Sequence, residues 1–243
     1  MRIPLLPFSC IIFTIIFGPF VVQRSVSADI AKPHLNATET MALYGDQISF
    51  DVFRNGSKIG EHDVHFKKQG PHLFVHSTLD LKIQFLFLTA FSYSYDSRAT
   101  WSRGKLREIA TKVDDDGVAF ELSAQRTGDQ FQVTHTHGSY QTGTPLYPTN
   151  HWNERVVSQR RVLNTLTGLI NNVTIAQGQT EMVQTESGII PAIHFKYAGE
   201  LENEVWYDSA GRWVKMRFKG KDDTPIDYIC RLCQGPKAKS VTH

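Results

Sequence analysis

The chain has 243 residues, with 26 Lys plus Arg against 24 Asp plus Glu, and 11% of it is aromatic. Arg2 and Arg24 fall in an N-terminal leader, so the remainder carries 24 charges of each sign. That scattered balance excludes the electrostatic footprint of a nucleic-acid binder and the basic cluster that would hold a protein on an anionic membrane.

The leader is the first predicted element. Arg2 gives a minimal positive start, Leu5 to Val22 is apolar with breaks at Pro7 and Gly18–Pro19, and Val26-Ser27-Ala28 offers the small residues a signal peptidase reads. The pattern predicts a signal peptide over 1–28, a mature chain beginning at Asp29, and export to the periplasm or the extracellular space. No later run is long and apolar enough to span a bilayer, so the mature chain is expected to carry no transmembrane segment. Roughly 215 residues then remain, enough to bury a sizeable core without staples. Residues 29–45 form an N-terminal extension, 46–233 an antiparallel β domain, and 234–243 a disordered polar tail.

From Asp46 onward apolar and polar residues alternate with period two, broken by Gly-containing turns. Ile48, Phe50 and Val52 share a face, and Asn55-Gly56 favours a tight hairpin because both residues tolerate positive φ. Gly60 interrupts the return strand and marks a candidate bulge. Leu73 to Ile83 alternates over a long strand. Gln84 to Ala90 is nearly all apolar. Phe91, Tyr93, Tyr95, Ser97, Ala99 and Trp101 then share one face, with Ser92, Ser94, Asp96 and Arg98 on the other. Turns at 102–105 and 114–117 separate further strands, and Phe131, Val133, His135 and His137 lie along another. Gly138 to Thr149 reads as loop. Asn150 caps one short helix through about Ser158, the only good helix candidate outside the leader. Short strands resume to Ile229. The fold class expected is mainly β: an antiparallel meander forming a curved sheet or incomplete barrel with one short helix.

Cys230 and Cys233 are the only cysteines after the leader. In an oxidising compartment they form a local disulfide or stay as two inert thiols. They match redox-dithiol spacing, but no helix pattern follows to lower a thiol pKa. If the strand runs straight through both, they point to opposite faces and cannot bond.

FDVFRNGSKIGEH at 50–62, WSRGKLREI from Trp101, HWN at 151–153 and VWYDSAGRWVKMRF at 205–218 resemble a family of exported bacterial proteins of unknown function. The likeness runs from about Asp46 to Tyr228, and its motifs are hairpin landmarks and core aromatics. The last of these hairpins is also similar, more distantly, to the end of periplasmic lipoprotein carriers, which implies an incomplete barrel around an apolar cavity. Cys-Arg-Leu-Cys is not part of either pattern.

Candidate chemistry is sparse. His135 and His137, two apart on a strand, present both imidazoles to one side, yet no acidic partner sits in the Thr-His-Thr-His run, so no metal is assigned. Asp114-Asp115-Asp116-Gly117 lacks calcium-loop spacing and reads as a turn. Glu61-His62-Asp63 cannot make a triad by itself, since neighbours on a strand face opposite ways. No phosphate loop, dinucleotide fingerprint or nucleophile elbow is present, so neither a cofactor nor a catalytic residue is expected. The aromatic stretch is the better clue. Phe87, Tyr93, Tyr95, Trp101, His135 and His137 are the candidate ligand-binding residues, with 85–90 covering the mouth of an apolar cavity. The functional expectation is an exported non-enzyme that holds a lipid or other apolar small molecule. Its alternative is an envelope structural or protein-interaction module with a filled core and no ligand.

Overall fold

The computed structural model describes residues 35–85 and 88–235. The expected leader and its cleavage site, the candidate Phe87, and residues 236–243 of the expected tail lie outside them.

A helix opens the described chain. Asn36 accepts the N–H of Thr38 and Glu39, and Glu39 accepts the N–H of Asn36, a capping box that starts α1 (Ala37–Tyr44). This helix falls in the segment read as an extension. Its sequence signal is Asn-x-x-Glu ahead of a short apolar run, a weak one because the helix is only eight residues long. The helix expected at Asn150 is shorter than read: a 3₁₀ turn, Glu154–Ser158, capped by Asn153 rather than Asn150.

Fourteen strands follow: β1 (Gln47–Arg54), β2 (Ser57–Gln69), β3 (His72–Phe85), β4 (Leu88–Ser102), β5 (Lys105–Asp115), β6 (Val118–Thr127), β7 (Gln130–His135), β8 (Gly138–Gly143), β9 (Arg161–Leu163), β10 (Ile170–Thr185), β11 (Gly188–Gly199), β12 (Glu204–Asp208), β13 (Trp213–Lys219) and β14 (Pro225–Leu232). They form one sheet in the order β8-β7-β6-β5-β4-β3-β2-β1-β14-β13-β12-β11-β10-β9. All its ladders are antiparallel. The result is a curved, incomplete barrel. The only long jump in the order joins β8 to β9, and that connection carries the 3₁₀ turn.

Two local features differ from the sequence reading, and the candidate bulge at Gly60 is present. The loop expected from Gly138 begins at Thr144, because β8 pairs back onto β7. The two short strands expected near 170–186 are one strand, β10, with a bulge between Gln177 and Thr180. Gly60 lies beside the register shift of β1–β2, and a Cβ there would strike the Asp80 carbonyl oxygen. Glycine is required there by backbone approach.

The terminal strands β8 and β9 share no ladder. Side chains join the two ends instead: the Tyr140 hydroxyl donates to the Gly168 carbonyl at 2.7 Å, and a Cβ on Gly168, whose φ is +70°, would lie 2.6 Å from the Cβ of His135. Inside, one apolar core gathers the inward faces of the strands, with Ile48, Phe50, Val52, Val133, Val205 and Tyr207 sealed from solvent. No helix among the described residues is long and apolar enough to cross a membrane.

Candidate functional site

The barrel interior is occupied by its own chain. Between β8 and β9 the segment 144–160 enters the barrel, turns through the 3₁₀ helix and leaves beside β9. Its two arms are tied by Leu163 N–H to the Tyr147 carbonyl at 2.8 Å and Thr149 N–H to the Leu163 carbonyl at 3.0 Å. His151, Trp152 and Asn153 are all buried to 2% exposure or less. Tyrosines from α1, β4 and β12 grip this plug. The Tyr44 hydroxyl donates to the Trp152 carbonyl at 2.8 Å and accepts the Trp213 N–H at 2.9 Å. The Tyr207 hydroxyl donates to the His151 carbonyl at 2.8 Å. The Tyr95 hydroxyl donates to Asn150 Oδ1 at 2.8 Å and lies 3.2 Å from Thr165 Oγ1.

The candidate residues therefore separate. Tyr95 and Trp101 meet the plug: Trp101 stands edge-on to Trp152 at 5.3 Å between ring centroids and tilts against Tyr147 at 6.2 Å. Tyr93 is half-buried one pair further along β4. His135 and His137 sit at the β7–β8 end of the sheet, their rings 6.2 Å apart, with Phe120 and Tyr140 beside them. The His137 N–H donates to His135 Nδ1 at 3.3 Å. They are not brought near Tyr95 or Trp101.

The sequence reading missed a buried polar interior. Ser77, Ser97 and Thr111 face one another across β3, β4 and β5 and are fully buried. Thr111 Oγ1 bonds Ser97 Oγ at 3.0 Å, and His62 Nε2 lies 2.8 Å from Ser77 Oγ. A Ser–His pair at that separation is the start of a nucleophile–base constellation. Here Ser77 is buried, His62 is partly buried, and no acceptor orients His62 Nδ1. Glu61 and Asp63 point outward toward Arg231 at 3.2 and 3.4 Å, as strand alternation requires. His151 stands near Tyr197 and Trp213, and neither ring nitrogen has a partner; nor does the Tyr197 hydroxyl. Burial pushes the His62 pKa down to about 4 and that of His151 to about 3, while the buried hydroxyls of Tyr44, Tyr95, Tyr197, Tyr207 and Tyr228 are pushed up by the same desolvation. The one signal for this interior is length: a stretch of 17 residues between β8 and β9 (144–160) is longer than compact connections usually are.

Two cavities open at the surface. The larger, about 280 Å³, is lined by the outward polar residues Asp80, Ser94, Asp96, Lys112 and Glu121 together with Tyr95, Val113 and Phe120, so the candidate Tyr95 borders it. The smaller, about 190 Å³, lies where the plug meets the wall and is lined by Trp101, Leu106, Phe131, Leu146 and Tyr147, with Lys105 and Arg126 among its walls. The Arg126 Nε donates to the Gly128 carbonyl at 2.8 Å, and its guanidinium is 3.5 Å from Asp129, a side chain almost wholly in water.

No curated protein matches the chain in sequence. Among solved structures it is similar to a beta-barrel-like protein of the domain of unknown function DUF1849 from Brucella abortus. The TM-score is 0.56 with 10% identity, over 79% of this chain and 98% of that one. At that identity the likeness concerns the fold alone, and the fold agrees: an antiparallel sheet rolled into an unclosed barrel. Residues 50–231 match the family described as a domain of unknown function, DUF6134, and the chain belongs to that family.

Proposed function

We propose that the protein is an exported binding module that takes the apolar end of an anionic amphiphile, such as a fatty acid, into the cleft between Trp101 and Tyr147. The carrying observation is the composition of that cleft. Two large aromatic rings, Phe131 and two leucines supply an apolar floor, and Arg126 and Lys105 supply cations beside it. Apolar walls with a few placed polar groups are how small-molecule sites are built. Arg126 spends one N–H on a backbone carbonyl, and its carboxylate neighbour is exposed, which leaves donors for a ligand headgroup. Export is supported by the leader pattern.

Displacement of a fluorescent fatty acid tests this. Wild type is expected to bind, Leu146→Trp to abolish binding by filling the cleft, and Arg126→Gln to weaken it about tenfold or more, the loss of a charge-assisted hydrogen bond. The same Arg126→Gln change is expected to leave binding of the matching fatty alcohol nearly unchanged. A wild-type chain that binds neither probe ends this reading. The interior filled by Trp152 then favours the envelope interaction module without a ligand.

A further inference from the structure

At the end of the barrel occupied by α1 and the C-terminal segment, the β10–β11 turn reaches across to β14. Thr185 and Gly188 are the last paired residues of that hairpin, so Glu186 and Ser187 form its tip. Glu186 Oε1 accepts the backbone N–H of Cys233 at 3.0 Å and of Gln234 at 2.8 Å. These bonds fix the carboxylate and turn Oε2 toward the cysteines, 2.7 Å from Cys230 Sγ and 3.8 Å from Cys233 Sγ. Gln234, read from sequence as the start of the tail, is held there as well, its carbonyl accepting from Arg212 and its side chain meeting Thr185 Oγ1 at 3.0 Å.

The two cysteines share a face because of a bulge. Ser49 pairs with Leu232 but Phe50 pairs with Cys230, so Arg231 is an extra residue on β14. The bulge resets the alternation: Cys230 and Cys233, three apart, both point inward, and Arg231 turns out to Asp51, Glu61 and Asp63. Their sulfurs are joined in a disulfide, with the Cα atoms 5.9 Å apart. A disulfide sulfur carries no proton. Glu186 Oε2 is therefore a negatively charged acceptor aimed at two atoms that have nothing to donate, beside residues that are buried to 5% and 0% exposure.

We propose that, once the disulfide is reduced, Glu186, Cys230 and Cys233 form a binding site for a thiophilic divalent cation of the zinc class. The three ligand atoms already lie within 4.8 Å of one another. Two thiolates and a carboxylate are a zinc donor set, and three protein ligands leave a fourth tetrahedral position for water. The Cα separation suits both states, since two sulfurs on one zinc stand about 3.8 Å apart with Zn–S near 2.3 Å. The backbone N–H groups on Glu186 Oε1 are the outer partners that orient a ligating carboxylate. Reduction takes two electrons from a thiol reductant: its two thiols become a disulfide, and Cys230 and Cys233 each gain a proton. Binding then expels both protons to solvent as the cation takes their place. Glu186, exposed at the surface, is the entry. Oxidised protein holds no cation there because each sulfur's bonding electrons are committed to the other.

The test uses the full chain, reduced with a phosphine and desalted under inert gas. Cobalt(II) is the spectroscopic probe, and zinc is titrated against a chromogenic chelator. One equivalent of cobalt is expected to give a thiolate-to-cobalt charge-transfer band, and zinc to displace it. Oxidised wild type and reduced Cys233→Ser are expected to give no band. Glu186→Gln is expected to keep the fold and loosen zinc at least about tenfold, since even outer partners of a zinc site cost that much. The proposal is overturned if reduced wild type binds no better than Cys233→Ser, or if Glu186→Gln binds as tightly as wild type. It is equally overturned if the reduced chain loses its near-ultraviolet circular dichroism and zinc does not restore it.

Discussion

Strands β1–β8 and strands β9–β14 belong to one sheet but treat their outer faces differently. On β4 and β5 the outward residues Ser94, Arg98, Ala110 and Lys112 meet water. On β11 and β12 the outward Ala192, Trp206 and Asp208 are buried to 1%, 2% and 5% exposure. Trp206 stacks on His194 at 4.4 Å, carries the Lys215 ammonium 4.2 Å from its ring centre, and donates its indole N–H to Glu181 at 2.9 Å. Asp208 accepts the Arg212 side chain at 2.7 Å and two backbone N–H groups at 3.0 Å. The outside of β4 and β5 is solvated; β11 and β12 are covered on both sides at Ala192, Trp206 and Asp208, while much of β10 and the exposed ends of β13 and β14 meet water. The Glu186–Cys230–Cys233 cluster lies in the second region.

The plug joins the two regions, so removing its anchor should have the largest effect. Trp152 is fully buried between Phe66 of β2 and Trp101 of β4, and Tyr44 of α1 holds its carbonyl. Trp152→Ala is expected to cost about 3–5 kcal/mol, the range for large-to-small aromatic changes in cores. Urea unfolding of the two proteins measures it. A loss under about 1 kcal/mol would mean that the sheet holds its curve without the plug.

Acid is the next probe, and it acts through the plug and the first region together. Burial holds His151 at a pKa of about 3 and His62 at about 4, below the 6.5 of an unfolded histidine. The unfolded chain therefore binds the extra protons. The stability these groups contribute is complete above pH 6.5 and is lost as pH falls toward 4 and then 3. For His151 the loss is on the order of 3 kcal/mol or more across that window. His151→Phe keeps a ring against Tyr197 and Trp213 and removes the titration, so its stability is expected to fall less than that of wild type between pH 7 and pH 4. Parallel curves for the two proteins would show that the imidazole is hydrated in the fold.

The same contrast governs what the sequence reveals. Period-two alternation is a signature of one dry face and one wet face, and β3–β6 carry it because their outsides are solvated. In β12 every residue from Val205 to Asp208 is buried. Alternation vanishes there, and only the existence of a short strand is legible. Register is subtler still. One extra residue, Arg231, decides that two cysteines three apart share a face, and no local composition marks a bulge that its partner Phe50 helps define. Tyr95 and Trp101 were legible as inward aromatics on one face, but their partners Asn150 and Trp152 come from a segment some 50 residues away. Sequence gives a side chain's facing; what it faces depends on the long connection between β8 and β9. Phe87 remains outside the described residues.

The smallest effect gives the sharpest comparison, because one substitution can be made in both regions. Ala110 on β5 and Ala192 on β11 both occupy outward positions by strand register, opposite Arg98 and Asp208 respectively. Ala110 is exposed, so Ala110→Leu adds three carbons into water beside long charged neighbours. Its effect is expected to stay within about 0.5 kcal/mol of wild type, as surface changes do. Ala192 lies at 1% exposure, flanked in the sheet by Glu181 and Asp208. Ala192→Leu has no void to enter and must push its neighbours away, which costs about 1–3 kcal/mol in packed interiors. The same change is expected to raise hydrogen exchange at the amides of β11 and β12, while Ala110→Leu leaves them protected. Equal stabilities and equal exchange in the two variants would show that the outer face of β11 is solvated like that of β5, and the two-sided burial of β11 and β12 would fall with it.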